Sequence, residues 1–226
     1  MNVSSRNKKV AKTRWNNRLA QEKKSFAHDR NAQIKKAALC GFLAGDGSVQ
    51  VRKEKSYYHY QLDFFPDDDG MLAVYMQYVL EVYNKVPSIR RRDNVYQVRL
   101  TSKAVVEDLL TYCSFGQKTW TVPLRLCKAT AGKVAWLKAF FSAEGYVDTY
   151  AIKVQTINKQ GMKQVSKLLS SFGIEHRFYT FQPKQKTYAP VFIIRIMSKK
   201  AKLLFLKEIN FWHEKKSNRL IKSTNI

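Results

Sequence analysis

Leu39-Cys40-Gly41-Phe42-Leu43-Ala44-Gly45-Asp46-Gly47 and Leu137-Lys138-Ala139-Phe140-Phe141-Ser142-Ala143-Glu144-Gly145 end alike: an apolar run with closely spaced small residues meets one acid and then a glycine. The two acids stand 98 residues apart, so one chain offers two like sites. In a helix, i, i+3 and i+4 share a face, which groups Gly41, Ala44 and Gly45 in one stripe and Ala139, Ser142 and Ala143 in the other. Two such faces can pack backbone to backbone, and parallel packing would set Asp46 beside Glu144. Carboxylates held that close repel unless a cation lies between them, which points to a divalent metal.

The rest of the composition narrows the partner. Of 226 residues, 45% are hydrophobic, enough for one sizeable core or two small ones. The formal charge of +24 is far from ordinary and implies a polyanion, either nucleic acid or an acidic membrane. No apolar stretch approaches a membrane span, and the Lys/Arg-rich start lacks a leader's apolar core, so an intracellular protein is expected. Cys40, Cys113 and Cys127 are odd in number and far apart, as reduced core thiols are. His28, His59, His176 and His213 show no zinc-ligand spacing, and no phosphate-loop run occurs, which disfavours zinc nucleases and NTPases.

Periodicity predicts the same order of elements twice. After the first motif come strands at Ser48 to Arg52 and Tyr57 to Phe65, and a helix opened by Pro66 and Asp67-Asp68-Asp69 that runs to Tyr83. Strands at Ser88 to Arg92 and Val95 to Thr101, turned by Asp93-Asn94, precede a helix from Lys103 to Cys113. The second copy predicts strands in Tyr146 to Tyr150 and Ala151 to Ile157, and a helix from Lys159 to Phe172. Strands at Ile174 to Phe181 and Tyr188 to Met197 and a helix from Lys199 to Phe211 complete it. Thr101-Ser102-Lys103 reappears as Met197-Ser198-Lys199. The expected organisation is a basic N-terminal extension (1–33), a first repeat (34–116), a linker (117–133), a second repeat (134–212) and a basic C-terminal tail (213–226). In the extension, Arg6, Lys8, Lys9, Lys12, Arg14 and Arg18 suit either a solvated arm or a helix that tracks phosphates, and Trp15 and Leu19, one turn apart, favour a docking helix.

This pattern resembles the LAGLIDADG homing endonucleases, as a single-chain, double-motif member with Asp46 and Glu144 at the last acidic position of each motif. It departs from the family where an acid often stands two residues earlier; here those positions are Ala44 and Ser142. The resemblance implies an α+β fold of two pseudo-symmetric αββαββα repeats, a saddle of antiparallel sheets with the paired motif helices at the interface. It also implies a monomer that cuts both strands of a long asymmetric DNA site for an intron or intein. Mg²⁺ or another divalent cation would be held by Asp46, Glu144 and the carbonyls of Gly45 and Ala143. Asn158 occupies the place where the family often has a polar residue near the attacking water; its counterpart in the first copy is Phe65 or Pro66, so the half-sites are unequal. Lys103 and Lys199 are candidate cations for the scissile phosphate. Strand alternation turns large apolar residues to the core and leaves polar ones outside, where Gln, Arg and Lys present the donor forks that read base edges. The expected DNA-facing residues are Ser48, Gln50, Arg52, His59, Gln61, Asp63, Arg90, Arg92, Gln97, Arg99 and Thr101 in the first copy. Those of the second are Tyr146, Asp148, Tyr150, Lys153, Gln155, Arg177, Tyr179 and Arg195. The alternative reading is a maturase-like protein that binds intron RNA and assists splicing.

Overall fold

The computed structural model describes residues 3–224 other than 56 and 186, with side chains from residue 10 onward; Arg6, Lys8 and Lys9 of the basic extension fall outside the described side chains. Two four-stranded antiparallel sheets carry the two repeats. The first runs β1 (Gly47–Glu54), β2 (Tyr57–Phe64), β3 (Ser88–Arg92) and β4 (Val95–Thr101) in the spatial order β1-β2-β4-β3. The second, β5 (Tyr146–Val147), β6 (Ile152–Thr156), β7 (Arg177–Phe181) and β8 (Val191–Ile196), repeats that order as β5-β6-β8-β7. The α+β, two-repeat architecture that the resemblance implied is therefore present.

Helices α1 (Val3–Lys24), α2 (Arg30–Asp46), α3 (Asp69–Tyr83) and α4 (Lys103–Leu110) belong to the first half. Helices α5 (Thr130–Glu144), α6 (Lys159–Ser171), α7 (Lys199–Glu208) and α8 (Glu214–Thr224) belong to the second. Short polar side chains start most of them: Asp29, Asp68, Asn158, Ser102 and Ser198 each accept a hydrogen bond from a first-turn N–H. The repeated Ser-Lys phrase is thus a helix cap used twice, Ser102 accepting from Val105 N at 3.3 Å and Ser198 from Ala201 N at 3.2 Å.

Two kinds of packing hold the halves. Within each repeat the inward strand faces meet aromatic clusters: Phe42, Phe64 and Tyr75 in the first, Trp120, Trp136 and Phe140 in the second. Between repeats, α2 lies along α5 at backbone distance. A Cβ at Gly41 would stand 2.5 Å from the Trp136 carbonyl oxygen and 2.8 Å from Ala139 Cβ, and one at Gly45 would stand 2.6 Å from Ala143 Cβ. Gly41 meets Ala139 and Gly45 meets Ala143, a constant offset that makes the packing parallel. No helix among the described residues is long and apolar enough to cross a membrane.

Several boundaries differ from the sequence expectation. Asp148 Oδ1 accepts from the N–H groups of both Tyr150 and Ala151 at 2.7 Å, and this local turn ends β5 at Val147 instead of Tyr150. Gly173, at φ +68°, turns the chain after α6, and the N–H of Ile174 donates back to Leu169 O at 3.1 Å, so β7 begins three residues late. Helix α7 stops at Glu208 because Asn210 adopts a left-handed backbone, φ +57°. The largest difference is at the C-terminus. Residues 213–226, expected as a basic tail, contain α8, which buries Leu220 and Thr224 and is preceded by the buried His213.

Candidate metal and DNA site

Asp46 and Glu144 are the last residues of α2 and α5. Because the small residues bring these helices together, the two acids arrive side by side: a Cβ at Gly45 would be 3.6 Å from Glu144 Cβ. Neither helix has a basic residue in its last turn, so two negative helix ends and two carboxylates converge. The strain shows in their protonation. Burial pushes the Glu144 carboxyl up to about 7, with the Asp46 charge adding to it, and burial likewise raises Asp46. Carboxylate and carbonyl oxygens at converging helix ends are the hard donors that a divalent cation takes. Among the described residues no group of three or more His, Cys, Asp or Glu could hold a metal ion, so the side-chain oxygens a cation could meet here are those of the two acids.

One cation already sits there, and the sequence did not reveal it. Lys216 of α8 donates from Nζ to Ser142 O at 2.6 Å and Ala143 O at 2.7 Å, and lies in the field of Asp67, Asp46, Glu144 and Asp68. Its helix is fastened to both repeats. Trp212 stacks on Phe42 at 5.2 Å and donates its N–H to Ser142 Oγ at 2.7 Å. The His213 ring nitrogens lie 3.6 Å from Asp67 and 3.3 Å from Asp68, and the neighbouring His213 holds Asp67 below the usual carboxylate range. Ser142 therefore serves α8 through its hydroxyl. The signal that could have found Lys216 is helical spacing: Lys216, Leu220 and Thr224 recur every four residues in the segment read as a tail.

Three of the expected catalytic residues are placed elsewhere. Asn158 is 2% exposed, with Oδ1 capping α6 and Nδ2 donating to Trp120 O at 2.6 Å; this buried capping place replaces the expected one beside an attacking water. Lys103 lies 3.6 Å from Glu107 and over the Tyr60 ring, in a groove shared with α1 residues Trp15, Arg18 and Leu19. Lys199 is exposed at the start of α7. Neither lysine contributes to the field at the acids. A cleft of about 380 Å³ opens beside Glu144, and its polar lining comes from Gln117, Gln155 and Thr156.

The strand register puts the expected DNA-facing residues on one face of each sheet, except for Asp148 and Tyr150 in the turn after β5. In the first sheet Ser48, Asp63 and Arg99 form one row, and Gln50, Gln61 and Thr101 the next. Arg52 pairs with His59, and Arg90 with Gln97, while Arg92 stands opposite Val95. Asp63 is only 3% exposed and gathers its neighbours: Arg99 Nε donates to it at 2.7 Å, Gln97 Nε2 at 3.1 Å, and Gln61 also bonds to it. Burial pushes its carboxyl up, but these bonds more than offset that and leave it lowered. Asp63 therefore orients the side chains around it and has little surface of its own for a base. Across the second sheet Tyr146, Lys153, Arg195 and Arg177 stand in one row, followed by Gln155, Ile193 and Tyr179. Three cations directly opposite one another repel. None has a salt bridge among the described residues, and Arg195 Nε is buried without a hydrogen-bond partner.

Residues 131–210 match the family model described as a LAGLIDADG-like domain. A replication factor C small subunit from Thermococcus kodakarensis is 30% identical over 191 residues, which cover 82% of this chain and 21% of that protein. The chain thus spans about a fifth of that relative's length. Among solved structures, I-DmoI in complex with DNA and Mn has a TM-score of 0.62 at 19% identity, covering 79% of this chain and 97% of that one. The LAGLIDADG meganuclease I-AabMI bound to uncleaved DNA scores 0.53 at 13% identity, covering 84% and 90%. The N-terminal LAGLIDADG domain of DUF199/WhiA scores 0.55 at 14% identity, covering 82% and 83%. At these identities the likeness is one of fold.

Proposed function

We propose that this single-chain protein of the two-repeat LAGLIDADG fold is a metal-dependent endonuclease that cuts both strands of a long, asymmetric DNA site in the manner of homing enzymes. The observation that carries the reading is the meeting of Asp46 and Glu144, one acid from each repeat, at the ends of helices packed backbone to backbone. An RNA-binding maturase would explain the charge of +24 but does not require that convergence.

Each residue then has a task set by its chemistry. The second sheet's row of Lys153, Arg195 and Arg177 supplies uncompensated positive charge for backbone phosphates. Arg99, braced by Asp63 and partly exposed, presents a preset donor direction to base edges, whereas Gln97, only 5% exposed and bonded to Asp63, has little surface of its own to offer. Asp46 and Glu144 would hold the divalent ion, with the Gly45 and Ala143 carbonyls as further oxygen ligands. When bound, such an ion polarises a phosphoryl oxygen and lowers the pKa of its water. Gln117, Gln155 and Thr156 line the cleft beside Glu144, within which a water can be oriented. Because one chain carries both acids and two unlike sheets, a monomer on a non-palindromic duplex is the expected complex.

The test is cleavage of a randomised duplex library by the purified chain with Mg²⁺ or with EDTA, followed by sequencing of the cut ends. The reading expects a single long consensus cut on both strands only with metal. RNA binding without cutting of any duplex would favour the maturase alternative.

A further inference from the structure

The oxygen that would serve as a carbonyl ligand at the Glu144 end, Ala143 O, is occupied by the Lys216 ammonium at 2.7 Å. A divalent ion sits about 2.0–2.6 Å from its oxygen ligands. An ammonium and a metal sharing that carbonyl would therefore face each other within a few ångströms, and like charges so close at a half-buried site repel by far more than thermal energy. We propose that Lys216 is a resident counter-cation that competes with the divalent metal for the acid pair, so that loading the metal requires the ammonium to leave Ala143. The inference rests on the metal-dependent reading above and adds a residue that the motif does not contain.

The surroundings argue that the ammonium is delivered on purpose. Helix α8 enters through Trp212 stacked on Phe42 of the first repeat and bonded to Ser142 of the second, so its first turn is registered against both halves. His213 and the N–H of Glu214 both approach Asp68, at 3.3 Å each. Leu220 is completely buried one turn beyond Lys216. Lys215, the preceding residue, carries the same charge but is exposed, while the Ser142 and Ala143 carbonyls accept from Lys216. The free chain thus holds one cation in the field of two crowded carboxylates without metal, and α8 couples that cation to the join between repeats.

The experiment titrates Mn²⁺ into the full chain without DNA and reads free Mn²⁺ by electron paramagnetic resonance, for wild type, Lys216→Met and Lys215→Met. Both variants lose one charge, so only position distinguishes them. Lys216→Met is expected to bind Mn²⁺ at least tenfold more tightly than wild type, and Lys215→Met within about twofold of it. Equal or weaker binding by Lys216→Met overturns the competition while leaving the metal reading intact; absence of binding in all three proteins overturns both. A second readout avoids any loosening of α8 by substitution. In wild type, acylation of Lys216 by an amine-reactive reagent, followed by mass spectrometry and referred to Lys215, should rise several-fold at saturating Mn²⁺. Unchanged labelling would show that the ammonium stays on Ala143 when metal binds, against the proposal.

Discussion

Replacing Gly41 with alanine tests the backbone-to-backbone contact on which the acid pair depends. The added Cβ would stand 2.5 Å from the Trp136 carbonyl oxygen and 2.8 Å from Ala139 Cβ. Carbon–oxygen contacts ordinarily begin near ~3.3 Å, so α2 and α5 must separate by roughly 0.8 Å. The opposing atom is main chain and cannot swing aside. Overpacking of this kind costs about 1–3 kcal/mol, while alanine in a helix regains about 1 kcal/mol over glycine. With the clash at the upper end of its range, the net is a destabilisation of roughly 1–2 kcal/mol. Urea unfolding at unchanged m, on the order of 2–3 kcal/mol/M, should show a midpoint lowered by about 0.5 M. A raised midpoint, the normal result for a glycine on an open helix face, would refute the close packing.

Other expected outcomes follow from single sites. Asp108→Asn should destabilise by about 3–5 kcal/mol in the same unfolding assay, because it strips the counter-charge 2.8 Å from Lys36, which is 1% exposed; a loss below about 1 kcal/mol would contradict a buried ion pair. Glu144, pushed up to about 7 from an ordinary value near ~4.3, binds more protons folded than unfolded between those values, so it subtracts stability as pH rises through that window. Metal-free Glu144→Gln should therefore melt higher than wild type at pH 8 and much like it at pH 4, and equal melting at both would remove the argument. Affinity for DNA should fall with salt at a log–log slope near −0.9 per phosphate contacted, and losing Lys153 or Arg177 should flatten it by about one contact. A slope untouched by both substitutions would take the phosphates away from that sheet.

Much of this was legible because the informative signals are local. Small residues ahead of an acid, repeated at domain spacing, foretell the α2–α5 contact, and alternation foretells which strand residues share a face. Turn chemistry was harder to read: Asp148 bonds its own downstream amides and ends a strand that composition would extend. Asn158 shows another limit, since an amide at a motif position reads the same whether it faces water or caps a buried helix. Lys216 was hidden because its role depends on where α8 docks, and basic composition in residues 213–226 masked the buried spacing of Leu220 and Thr224.

In the proposed function Asp46 and Glu144 serve cutting and the sheets serve binding. The most direct measurement of that division compares wild type, Asp46→Asn and Glu144→Gln on the cognate duplex in Mg²⁺, reading double-strand cleavage and, in Ca²⁺, equilibrium binding. Both variants are expected to lose double-strand cleavage while their affinity stays within a few-fold of wild type. Full cleavage by either variant, or binding that collapses together with cleavage, would contradict it.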